Sequence, residues 1–92
     1  MSNTIIGTLK QVLPTLEGEN ARGPWIKGGF VIETDGDYPV KVAFTCFGEE
    51  RVNKVRSLTI GETINVTYTP ESREFNDRWY TDLRCIKIET LA

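Results

Sequence analysis

The 92-residue chain contains no histidine. The commonest general base is therefore missing, and no serine or cysteine stands beside a plausible activating partner, which argues against an enzyme. Cysteine is scarce as well. Cys46 and Cys85 are too far apart for a zinc knuckle and have no histidine to complete one, so no metal or cofactor is expected. Both fall on apolar strand faces, the pattern of buried free thiols in a reducing, cytoplasmic protein. No apolar run approaches membrane-spanning length, and the N-terminus lacks the basic-then-apolar pattern of a secretory signal. There is no surplus of positive charge either: the net charge is −2 and the sequence pI about 5.1. A protein that only clamps phosphates is usually basic. A local basic patch nevertheless acts over about 10 Å regardless of distant acids. Many of the acids (Glu17, Glu19, Asp35, Asp37, Glu49, Glu50) fall in predicted loops or at a helix start.

What is present is alternation. Two strand-like runs meet at Asn76-Asp77, a pair that tolerates the positive φ of a tight hairpin. With those residues as the loop, Phe75 pairs with Arg78, Arg73 with Tyr80, Glu71 with Asp82, Thr69 with Arg84 and Tyr68 with Cys85. One face then carries Arg73, Phe75, Arg78, Tyr80 and Arg84. The other carries Tyr68, Leu83 and Cys85, which read as core, and Trp79 shares that parity. Cations beside aromatics on one ribbon face suit a flat, charged, stackable ligand. Glu71 and Asp82 lie on the same face, where pairing with the arginines would blunt the patch.

Earlier in the chain, Thr4 to Leu16 reads as a long strand bent by a bulge, because its apolar spacing is irregular and includes Gly7 and Pro14. Glu17–Pro24 reads as a loop. From Trp25 to Thr34, Phe30 and Ile32 face one way and Trp25, Lys27, Val31 and Glu33 the other. Gly28-Gly29 marks a bulge or a close backbone approach and lacks the context of a phosphate loop. After a turn at Asp35-Gly36-Asp37, Val40, Val42, Phe44 and Cys46 alternate with Lys41, Ala43, Thr45 and Phe47. Glu49 to Ser57 predicts a short helix with Val52 and Val55 one turn apart, whose Arg51, Lys54 and Arg56 form a solvated face. Ile64, Val66 and Tyr68 point inward on the next strand, which Pro70 interrupts at an unpaired edge. A bulge near Cys85-Ile86 turns the last strand's apolar side back inward.

Three strands, a helix and two strands make one domain over residues 1–92, an all-β, five-stranded barrel with the helix plugging one end. That is the oligonucleotide/oligosaccharide-binding (OB) fold, whose usual cleft lies on strands two and three between the first and last hairpin loops. Arg22 with Trp25, and Arg73 with Phe75, flank those loops here.

The run Val40-Lys-Val-Ala-Phe-Thr-Cys-Phe-Gly48 resembles the third strand of bacterial single-stranded-DNA-binding proteins. Leu58–Tyr68 and Arg73–Asp82 resemble the fourth and fifth. The likeness is closest to small, uncharacterised bacterial and phage domains of that fold. It implies that Phe47 and Phe75 stack on bases, in a protein of DNA replication and repair. A further family aromatic, midway along strand three, is replaced by Lys41. The family's acidic tail has no counterpart after Glu89-Thr-Leu-Ala92, so recruitment of partners by such a tail is not expected.

The expected function is sequence-tolerant binding of single-stranded DNA, with RNA as the related ligand. The site residues are Arg22, Trp25, Lys27, Lys41, Thr45, Phe47, Arg73, Phe75, Arg78, Tyr80 and Arg84. Each aromatic has a plainer alternative: Phe47 and Phe75 also suit a subunit interface, and Trp25 and Tyr80 suit packing. For Trp79 the core-facing parity makes structure the expectation. Outward Trp25, Val31 and Ala43 invite a homodimer or homotetramer. The alternative function is therefore a non-catalytic protein-interaction module.

Overall fold

The computed structural model describes residues 3–91. Among them five strands and one helix follow in the order β1 (Asn3–Asn20), β2 (Gly23–Glu33), β3 (Lys41–Phe47), α1 (Glu49–Arg56), β4 (Thr63–Phe75) and β5 (Arg78–Thr90). The strands close into a barrel in the order β1-β2-β3-β5-β4. Every pairing is antiparallel except that of β3 with β5, which meet in parallel at Thr45 and Arg84. This is the expected architecture, with the helix between the third and fourth strands.

Closure depends on β1 serving two neighbours: Asn3 to Thr8 pair with β4, and Thr8 to Asn20 with β2. Its irregular apolar spacing is the trace of two register shifts, between Leu9 and Gln11 and between Leu13 and Leu16. Each shift adds a residue on β1 and bends it around the barrel. At Gly29 a Cβ would lie 2.5 Å from the Phe44 carbonyl oxygen, so the glycine is required by close backbone approach.

Alternate residues fill the interior. Leu9, Phe30, Ile32, Phe44, Cys46, Ile64, Val66, Cys85 and Ile88 are buried. The Phe30 and Phe44 rings stack at 5.2 Å, and Tyr68 meets Phe44 edge-on at 5.4 Å. α1 caps this core with Val52 and Val55, and its first turn places Glu49 and Glu50 where the helix dipole favours negative charge. The bulge expected near Cys85-Ile86 is present: Thr67 pairs with Lys87 but Tyr68 with Cys85, leaving Ile86 as the extra residue. Cys85 and Ile88 thereby both face inward.

Several expectations need correction. Glu17–Pro24 is mostly ladder rather than loop: Glu17 pairs with Ile26 and Asn20 with Gly23, leaving Ala21 and Arg22 as the turn. Asn20 Oδ1 accepts the Arg22 backbone N–H at 2.9 Å, so the polar residues that suggested a loop serve the turn itself. Pro70 does not interrupt β4, because it pairs opposite Leu83; among the described residues the ladder with β1 on the other edge of β4 runs no further than Asn3–Tyr68, so a missing N–H is tolerated. Val40 precedes β3 and is exposed. Trp79 shares the inward parity but is 68% exposed, because the β4–β5 ribbon has left the barrel by that point and no core lies beneath it. Arg51 is more than a solvated helix residue: Nε donates to the Ile86 carbonyl at 3.0 Å and Nη1 to that of Phe47 at 3.4 Å.

Candidate nucleic-acid interface

The β4–β5 hairpin has the register that alternation predicts, from Thr69 opposite Arg84 to Phe75 opposite Arg78. Its loop holds Asn76 at φ 51° and Asp77 at φ 63°, the left-handed pair that twists a hairpin the right way. Because cross-strand partners share a face, one side of the ribbon carries four successive pairs: Thr69–Arg84, Glu71–Asp82, Arg73–Tyr80 and Phe75–Arg78. Each step advances about 7 Å along the strands. Phe75 is 64% and Tyr80 45% exposed, and both line a shallow concavity with Arg73 and Glu74.

The base of this row runs onto β3 and β2. Phe47 pairs with Lys27, and Thr45 with Arg84. The Arg84 guanidinium carbon lies 5.1 Å from the Phe47 ring centroid and the Lys27 Nζ 5.7 Å, so two cations are held against one half-exposed aromatic. Lys27, Thr45, Phe47, Arg84, Arg73, Tyr80, Phe75 and Arg78 therefore form one continuous strip from the barrel wall to the hairpin tip. Two ion pairs lie within it, Arg84 to Glu71 at 3.3 Å and Arg73 to Asp82 at 3.5 Å. The blunting of the patch by its own acids is thus a feature of the structure.

Three predicted residues lie elsewhere. Lys41 is opposite Glu33 at the far end of β3 from Phe47, about 20 Å along the strand. Arg22 is in the β1–β2 turn. Trp25 lies over Gly18, where a Cβ would come within 2.4 Å of its ring. It borders an open cleft with Phe47, Arg56 and three carboxylates, Glu17, Glu19 and Glu49. Phosphate would be repelled from that side of the Trp25 ring. Conversely, Trp79, which is not among the predicted site residues, is exposed near the tip of the same ribbon. The signal that finds it is hairpin length: Trp79 lies six residues along β5 from the buried Cys85, about 20 Å, too far for the barrel to cover, as its exposure shows.

Cys46 and Cys85 are free, buried thiols. The hydrogen bond with Cys85, and then burial, hold the Cys46 thiol far above its usual range, so it stays protonated and unreactive at neutral pH. Among the described residues no cluster of His, Cys, Asp or Glu is arranged to hold a metal ion, and no helix is long and apolar enough to cross a membrane.

A closed five-stranded barrel with a capping helix after β3 and two projecting hairpins defines an OB-fold domain. The chain belongs to a family described as a domain of unknown function, DUF3127, whose model matches residues 4–89. No curated protein matches it. Solved structures share its fold throughout. The mitochondrial single-stranded DNA binding protein Rim1 of S. cerevisiae superposes with a TM-score of 0.76 at 16% identity, over 99% of this chain and 95% of that one. The SSB domain of a Synechococcus sp. protein gives 0.66 at 10% identity, over 95% and 91%. The N-terminal domain of PriB from Thermoanaerobacter tencongensis, described as dimeric, gives 0.67 at 14% identity, over 99% and 96%.

Proposed function

We propose that this domain binds single-stranded nucleic acid, DNA in the first instance, with little sequence preference and without chemistry on it. The observation that carries the reading is the continuous strip of alternating aromatics and cations on β2, β3, β5 and β4. Every base has a π-face, so stacking on Phe47, Phe75 and Tyr80 is tolerant of sequence, while Lys27, Arg84, Arg73 and Arg78 follow the phosphates. Likeness of fold to proteins described as single-stranded-DNA-binding supports the same reading. Arg22 and Lys41 fall outside this path, and Trp25 borders its acidic margin.

A second reading, an interaction or oligomerisation module of the same fold, draws on β1. Ile6, Val12 and Leu16 are exposed on that strand. Together with outward Trp25, Val31 and Ala43, they support a homodimer or homotetramer, which is compatible with the first reading if the strip stays open. Titration of a labelled thymidine oligomer, read by anisotropy and by tryptophan fluorescence at low salt, tests the two. Saturable binding is expected. No anisotropy change at tens of micromolar protein would leave only the interaction module.

A further inference from the structure

Midway along the strip stands something a phosphate-binding face does not need. Glu71 and Asp82 are directly opposite each other in the ladder, an arrangement in which like charges destabilise a ribbon. The neighbouring arginines offset that repulsion: Arg84 Nη1 lies 3.3 Å from Glu71 Oε1, and Arg73 Nη2 lies 3.5 Å from Asp82 Oδ2. All four side chains are well exposed to solvent, so the pairs contribute little to folding. Their effect falls on whatever approaches the face.

We infer, on the basis of the single-strand reading above, that Glu71 and Asp82 are specificity determinants that reject ligands offering phosphate charge without accessible bases. A phosphate reaching Arg84 or Arg73 must displace a carboxylate and then lie beside the displaced charge. A duplex presents an outer surface of phosphates at one charge per about 1.7 Å, and meets that repulsion with no stacking to offset it. A single strand does better on geometry. Phe47 with Arg84 lies on one side of the acidic step, and Arg73–Tyr80 and Phe75 lie on the other. A strand stacked on both stations can cross the acidic step with a base edge rather than a phosphate, and carboxylates accept hydrogen bonds from base amino groups. The same two acids therefore oppose one ligand class and accommodate the other.

The test compares the wild-type protein with the double variant Glu71→Gln/Asp82→Asn, which keeps shape and removes both charges. Each is titrated with a labelled mixed-sequence single strand and with its duplex, and inorganic polyphosphate is used as competitor. The variant is expected to bind the duplex about tenfold or more tightly than the wild type, in line with the reach of local fields on association. Its gain for the single strand is expected to stay below about threefold, and polyphosphate should compete more effectively against it. Wild-type binding of the single strand with the same strand-to-duplex ratio in the variant would overturn this inference alone. Failure of both proteins to bind any oligonucleotide would overturn the single-strand reading and this inference with it. Matching thermal unfolding curves exclude a folding defect, since the four side chains lie outside the core.

Discussion

Phe47 and Phe75 are both aromatic and both on the strip, yet their surroundings differ. Phe47 is flanked by Lys27 and Arg84, while Phe75 stands near the hairpin tip beside Tyr80 and Arg73. Replacing either by alanine is expected to cost on the order of 1–3 kcal/mol per stacked base, a tenfold or greater loss of affinity in an anisotropy titration. Thermal stability should change less for Phe75→Ala than for Phe47→Ala, because only Phe47 packs on the barrel wall. Trp79→Ala checks a different point: with 68% of the residue exposed, its unfolding free energy should stay within about 0.5 kcal/mol of wild type. A core tryptophan would lose about 3–5 kcal/mol. Cys46 sets an alkaline limit. Its thiol ionises near the ordinary value of 9.0 when unfolded but stays protonated in the barrel. Above that pH the unfolded chain binds fewer protons than the folded one, so this group's contribution to stability falls as pH rises. Denaturant titrations should show stability falling above the pH at which the unfolded thiol ionises, and Cys46→Val should flatten that fall.

At the scale of elements, the β4–β5 ribbon is the most legible part of the chain and also the part most easily misjudged. Its register follows from strict alternation and from Asn76-Asp77, two signals that agree. Alternation tells which residues share a face, but not how far the barrel extends beneath that face, which is why Trp79 read as core. The segment from Glu17 to Pro24 misled for the opposite reason. Glycine and proline there suggest a loop, whereas Gly18 makes room for the Trp25 ring and the ladder continues to Asn20. The Arg51 bonds to two carbonyls depend on how α1 lies against β5, which no local pattern encodes. The ribbon also gives a test that separates local geometry from barrel stability. Asn76→Val/Asp77→Val forces β-branched side chains into positive φ, at about 1–3 kcal/mol of strain per residue. Strand affinity should fall while the near-ultraviolet signal of the buried aromatics stays unchanged, because Phe30, Phe44 and Tyr68 pack within the barrel.

For the molecule as a whole, the question is how the proposed binding of a polyanion is compatible with a net charge of −2. Charge is segregated in part: Glu17, Glu19 and Glu49 line the cleft beside Trp25 and Lys27 and Arg84 lie against Phe47, while Glu71 and Asp82 remain within the strip. Salt at physiological strength limits each field to about 8 Å, so the strip acts locally and the acidic cleft bounds it. If Lys27, Arg84, Arg73 and Arg78 each neutralise one phosphate, the logarithm of affinity should fall with the logarithm of salt at a slope of about −3, from −0.7 per contact on single strands. Arg84→Gln should reduce that slope by about 0.7 and weaken every sequence alike, whereas Phe75→Ala should lower affinity at an unchanged slope. A shallow slope in a protomer and strong binding by an assembly are compatible, because subunits sharing one strand multiply weak contacts through effective concentration. Sedimentation velocity across micromolar concentrations should therefore show a homodimer or homotetramer, with binding that tightens as the assembly forms. A strict monomer whose affinity is independent of protein concentration would instead assign all of the binding to a single strip.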